Sequence, residues 1–108
     1  MTNAWVVLVT VPSREDGERI AEAVVGDRLA ACVNIVGPMR SIYRWQGEVC
    51  RDEEHLLLIK TTQERYGELE ARVKALHPYD VPEVVALPIE AGSAFYLAWV
   101  EAETKRDQ

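Results

Sequence analysis

Two histidines, two cysteines and one acidic run are the side chains of this sequence best suited to ligation or nucleophilic chemistry. His77 stands directly before Pro78 and Tyr79, where a neutral imidazole could ligate a metal ion. A histidine at a helix end also serves without metal, by meeting the last carbonyls and the helix dipole. The run Asp52-Glu53-Glu54-His55 carries oxygen and nitrogen donors, but on a strand Asp52 and Glu54 face away from Glu53 and His55. At most two ligands then converge, which is a weak site, and a solvated strand is the simpler reading. Cys32 lies in the apolar stretch LAACVNIV and reads as an inert core thiol. Cys50, beside Arg51 and close to a turn, reads as the more exposed thiol and the better candidate for surface metal or oxidation chemistry. The sequence contains no CxxC, GxGxxG, P-loop, GxSxG, HExxH or EF-hand pattern. No nucleophile has a base close to it in sequence, so no enzyme is expected.

The elements that must position these residues follow from hydrophobic pattern. Trp5 to Val11 is a β-branched run stopped by Pro12 and predicts a buried strand. Ser13 is an N-cap, with Asp16 three residues on, for an amphipathic helix from Arg14 to about Arg28, which Gly26 would end early. Ala31 to Val36 returns to strand, Gly37-Pro38 makes a bulge or bend, and the strand resumes from Met39 to Trp45. A tight turn at Gln46-Gly47 places Trp45 opposite Glu48, Tyr43 opposite Cys50 and Arg40 opposite Glu53. In that register Cys32 lies roughly 36 Å from Cys50, at ~3.3 Å per residue, far beyond disulfide reach. Leu56 to Ile59 completes the returning strand. Thr61 and Glu64 form a capping box for a second helix with the stripe Tyr66, Leu69, Val73 and Leu76. His77-Pro78 ends that helix, Val81 to Ile89 is an edge or irregular strand, and a short helix follows Gly92-Ser93 with Phe95, Tyr96, Trp99 and Val100.

The order βαββαβ plus a C-terminal helix predicts an α+β, ferredoxin-like single domain over residues 1–108, with an antiparallel sheet and both main helices on one face. The strand segments are apolar at both parities, so the second face also needs cover. One short helix cannot supply it, and self-association is the simplest answer. The chain has 108 residues, a formal charge of −6 and a pI near 4.9. That balance opposes a phosphate backbone or an anionic lipid surface, so neither nucleic acid nor membrane is an expected partner. No signal-type or membrane-spanning segment is read near Met1, and a cytoplasmic location is expected.

Several stretches carry a more specific message: LAACVNIV (29–36), SIYRWQGEV (41–49), LLIKTT (57–62), HPYDVPE (77–83) and ALPIEAGSAFYLAWV (86–100). Together they resemble the CutA divalent-cation-tolerance proteins over nearly the whole chain. The resemblance implies a PII-like, interlocked homotrimer whose long hairpins complete sheets across neighbours. It also implies a role in tolerance of copper and other heavy metals, with copper or another divalent cation as the possible bound ion; the motifs of the sequence make no organic cofactor evident. Copper-binding bacterial relatives carry a Cys near the end of the first strand and a His pair before Pro-Tyr. Here those positions hold Val9 and Leu76, and only His77 matches, so any copper binding is expected to be weak to moderate, to bypass the family's Cys-plus-His-pair site and to fall on His77→Ala.

The resemblance further points to Tyr43, Trp45, Lys60, Tyr79, Glu83 and Trp99 as residues that lie toward clefts between subunits. Aromatic walls with a cation and an anion suit a small polar ligand, although Tyr and Trp also anchor interfaces through packing alone. The function expected is therefore a cytoplasmic homotrimeric divalent-cation tolerance protein that binds metal or a small ligand at subunit boundaries. The alternative is a PII-like signalling or trimeric scaffold protein with no metal site of its own. An RNA-recognition module shares the element order but lacks the basic, aromatic segment that stacks bases.

Overall fold

A computed structural model describes residues 2–106. Its elements are β1 (Ala4–Val11), α1 (Arg14–Gly26), β2 (Cys32–Trp45), β3 (Glu48–Thr62), α2 (Tyr66–Leu76), β4 (Val84–Pro88) and α3 (Ala94–Glu103), with a 3-10 turn at Gln63–Arg65 ahead of α2. The four strands form one antiparallel sheet in the order β2-β3-β1-β4. This is the α+β architecture expected from the element order.

Local chemistry explains most boundaries. Ser13 caps α1 by accepting from the Asp16 amide at 3.1 Å, while its hydroxyl donates to the Asp16 carboxylate at 2.8 Å. The hairpin turn holds Gln46 and Gly47 at φ of 50° and 83°, the two positive values that match a turn to the right-handed twist of its strands. Register is as expected, with Arg40, Tyr43 and Trp45 opposite Glu53, Cys50 and Glu48. Between Val36 and Met39 the register shifts, so Gly37 and Pro38 oppose His55 alone and make a bulge.

Two local expectations are corrected. Thr61 does not cap α2: it is a fully buried strand residue whose hydroxyl donates to the Leu29 carbonyl at 2.6 Å. The fourth strand begins at Val84 rather than Val81, because residues 77–83 are spent crossing the end of the sheet.

The core lies between the sheet and helices α1 and α2. Val7, Val9, Val11, Leu57 and Ile59 meet Ile20, Val24, Leu69 and Val73, all fully buried. Gly17 lets α1 approach closely, since a Cβ there would stand 3.1 Å from Leu57 and 3.3 Å from Val11. On the opposite face, α3 covers one end of the sheet, where Val100 packs with Ala4 and Ala31. Beyond that end the second face is open, and Val36, Val85 and Leu87 are about half exposed there, at 48, 46 and 53%. The hairpin extends past β1, whose last pair is Val11 with His55, so residues 48–54 of β3 pair with β2 alone. This projecting arm contributes to the 45 Å long axis.

Leu57→Ala removes a fully buried side chain from the central strand beneath α1. It is expected to cost about 2–5 kcal/mol, against under about 0.5 kcal/mol for exposed Glu22→Ala, by urea denaturation.

Candidate functional site

Tyr43, Tyr79, Lys60 and Trp99 gather at two places on the open face, which do not meet within the chain. The first is the root of the arm. Because β-strand side chains alternate, Cys50, Asp52 and Glu54 share one face of β3, and the bulge brings Tyr43 onto that face too. The Tyr43 hydroxyl donates to Asp52 in a very short hydrogen bond. The Tyr79 hydroxyl donates to Glu54 at 2.9 Å, reaching over from the loop after α2, and Glu54 is 7% exposed. The hydrogen bond to Asp52, followed by burial and nearby negative charge, pushes the Tyr43 phenol up to about 12. Burial, then the bond to Glu54 and its charge, raises Tyr79 further.

His77 anchors that loop. It is 8% exposed, its Nε2 lies 2.7 Å from the Thr10 carbonyl, and its Nδ1 accepts from the Tyr79 amide at 3.1 Å. An amide N–H only donates and a carbonyl only accepts, so the neighbours fix the tautomer: Nε2 carries the proton and Nδ1 offers its lone pair to Tyr79. The preceding carbonyl, of Leu76, accepts from Arg19 on α1 at 2.9 Å.

The second place is the sheet end beside α3. Lys60 donates to Asn34 Oδ1 at 2.5 Å, and Cys32, directly across from Lys60, has its Sγ 3.8 Å from the same oxygen. The Tyr96 hydroxyl is beside the Cys32 thiol, and burial, then the thiol's charge and hydrogen bond, raises its phenol. Trp99 lies against Tyr96 with ring centroids 5.6 Å apart. Cys32 is therefore corrected from core thiol to half-buried residue of the open face, and Cys50 is half-buried as well. Trp45 stands half exposed beside the turn, and Glu83 is exposed on the lead-in to β4. Sequence reading did not select Asp52, Glu54, Asn34 or Tyr96 for this set. Strand alternation, which places Asp52 and Glu54 together, was the one signal available for them.

A family description, CutA1 divalent ion tolerance protein, matches residues 5–103. The chain belongs to that family. It is 61% identical over 99 residues to the Divalent-cation tolerance protein CutA of Thermus thermophilus, covering 92% of this chain and 96% of that one. It is 52% identical over 100 residues to the chloroplastic Protein CutA of Arabidopsis thaliana, covering 93% of this chain and 55% of that one. The chain thus spans about half the length of that plant relative. Among solved structures, that of the Thermus thermophilus protein matches with a TM-score of 0.93 at 59% identity, covering 94% of this chain and 99% of that one. One described as the periplasmic CutA of Archaeoglobus fulgidus matches with a TM-score of 0.92 at 36% identity, covering 94% and 99%.

The copper-ligand pattern of the family does not fit this donor set. Val9 is fully buried in the core and Leu76 packs against it. His77 has its proton on one nitrogen committed to Thr10 and its lone pair on the other committed to Tyr79. Among the described residues no three His, Cys, Asp or Glu side chains converge as a metal set.

Two outcomes follow. His77→Ala leaves a backbone carbonyl and an amide without their side-chain partner and is expected to cost about 1–3 kcal/mol in urea denaturation, while calorimetric Cu(II) affinity stays at the wild-type value. A phenol whose folded pKa is raised contributes stability that is fully present below the unfolded value of about 10 and is lost as pH rises above it. Tyrosinate absorbance is therefore expected to lag free tyrosine above about pH 10, and Tyr43→Phe should remove the component near 12.

Proposed function

We propose that this chain acts in divalent-cation tolerance as a cytoplasmic, non-catalytic homotrimer that binds a small polar ligand or ion where subunits meet. The observation that carries this reading is the open sheet face, apolar over Leu8, Leu56, Leu58, Val85 and Leu87, which a water-exposed monomer would leave uncovered. The projecting arm exposes further apolar side chains, Trp45 on this face and Ile42 and Val49 on the opposite one, as an element shaped to reach a neighbour. The free thiols Cys32 and Cys50 suit a reducing compartment.

The two polar places on this face differ in chemistry. At the arm root both phenolic protons are given to carboxylates, so what remains for a ligand is mainly acceptor oxygen. At the α3 end Lys60 supplies a cation. A subunit boundary that joins the two suits a small molecule carrying both a donor and an anionic group. The second reading, a PII-like signalling or scaffold trimer without a metal site of its own, is favoured by the full engagement of His77.

Sedimentation at low micromolar concentration is expected to give three times the 12.2 kDa chain mass. A 12.2 kDa species there overturns the assembly reading. Trp45→Ala should weaken assembly at least tenfold in dissociation midpoint, on the order of a single aromatic interface anchor, while Glu22→Ala should not. Titration of the assembled protein with Cu(II) or Zn(II) separates the two readings: binding at a subunit boundary supports the first, and no binding supports the second.

A further inference from the structure

The arm leaves the sheet at one position, and that position is held from both faces. On the open face Glu54 is fastened through Tyr79 to His77, and through His77 to the Thr10 carbonyl at the end of β1. Tyr79 and His77 also touch through their rings, whose centroids are 4.8 Å apart. On the other face the next residue, His55, lies beneath the bulge. A Cβ added at Gly37 would stand 2.7 and 2.9 Å from its ring carbons, and Gly37 has a φ of +152° that L side chains rarely adopt. Its Nδ1 is buried without a hydrogen-bond partner. A ring that leaves a buried nitrogen unsatisfied is serving through its shape, because that nitrogen adds cost without a bond.

We infer that the root of the arm is a two-sided clamp, in which the Thr10–His77–Tyr79–Glu54 chain on one face and the His55 ring against Gly37 on the other set the direction of the β2–β3 arm. Beyond the clamp the arm has only its own two-stranded ladder, and isolated two-stranded hairpins are marginal in water. Within the chain, residues 39–54 therefore take their orientation from this one position. The consequence for assembly rests on the assembly reading above: a clamped arm presents Trp45 and Ile42 to a neighbour without first having to be ordered, which lowers the entropic cost of association. His77 is in this account a positioning residue for the arm.

Hydrogen exchange resolved by residue, paired with sedimentation on the same samples, tests the clamp. Tyr79→Phe keeps the ring and removes the bond to Glu54. His55→Ala removes the wedge, and His55→Phe keeps its shape while deleting the unsatisfied nitrogen. Tyr79→Phe and His55→Ala are each expected to speed exchange of amides 39–54 by about tenfold, leaving residues 5–9 and 57–61 at wild-type rates, whereas His55→Phe retains wild-type protection. Unchanged arm exchange in both Tyr79→Phe and His55→Ala overturns the clamp, as does equal loss across arm and core. If the wild type sediments as a monomer the assembly reading fails, and the exchange pattern still decides the clamp.

Discussion

A sheet whose central strands are apolar on both faces must be covered twice, and this chain carries helices for one face and the end of the other. β1 and β3 alternate between residues buried under α1 and α2, such as Val7, Val9, Leu57 and Ile59, and residues on the reverse side, such as Leu8, Leu56 and Leu58. The pairs Leu8 with Leu58 and Leu8 with Val85 set these side chains in rows across strands, so the reverse side is a continuous surface and not scattered exposure. α3 reaches only the end marked by Ala4 and Ala31. The candidate site residues lie on or beside this surface, including Lys60 and Cys32 near α3 and the tyrosine–carboxylate pairs at the arm.

The bulge decides what that surface becomes along its length. Before Gly37 the residues of β2 on the open face are Cys32, Asn34 and Val36. After Pro38 they are Met39, Ser41, Tyr43 and Trp45, because two residues stand against one and the alternation reverses. Without the reversal Tyr43 and Trp45 would face the other way, and Arg40, Ile42 and Arg44 would stand opposite Asp52, Cys50 and Glu48. One inserted residue thus moves two aromatic rings onto the face that carries the carboxylates and makes the arm a continuation of the apolar surface. It also carries chemistry from apolar rows near the core to hydroxyl–carboxylate pairs at the arm.

Sequence alone exposed what depends on local periodicity and turn chemistry. Gln46-Gly47 fixed the hairpin register through Arg40 and Glu53, Ser13 with Asp16 marked the start of α1, and the stripe Leu69, Val73 located the buried side of α2. What it concealed depends on where the chain travels. Tyr79 reaches Glu54 across 25 positions because residues 77–83 wrap the sheet end, and no periodicity encodes that path. The same wrap delays β4 to Val84. Thr61 had the spacing of a capping box, but a strand that continues through Thr62 claims it first, and the Leu29 carbonyl takes its hydroxyl. Cys32 looked like a core residue from its apolar neighbours, yet it lies on an edge strand at the parity that points to the open face.

The tautomer of His77 bears on how the family's metal association reaches this chain. Capture of an ion at Nδ1 requires the lone pair that the Tyr79 amide occupies, and capture at Nε2 requires loss of the proton that Thr10 accepts. Either route breaks a hydrogen bond in a largely buried setting and leaves a backbone group unpaired, so the ion must repay that loss with ligands. Val9 and Leu76 contribute none. The imidazole is accounted for by what it holds together: the end of β1, the turn after α2 and, through Tyr79, the root of the arm. Under the proposed assembly, a role in cation tolerance falls instead to the acceptor oxygens of the arm and the ammonium of Lys60 at the sheet end, which subunit contact would bring to a common cleft.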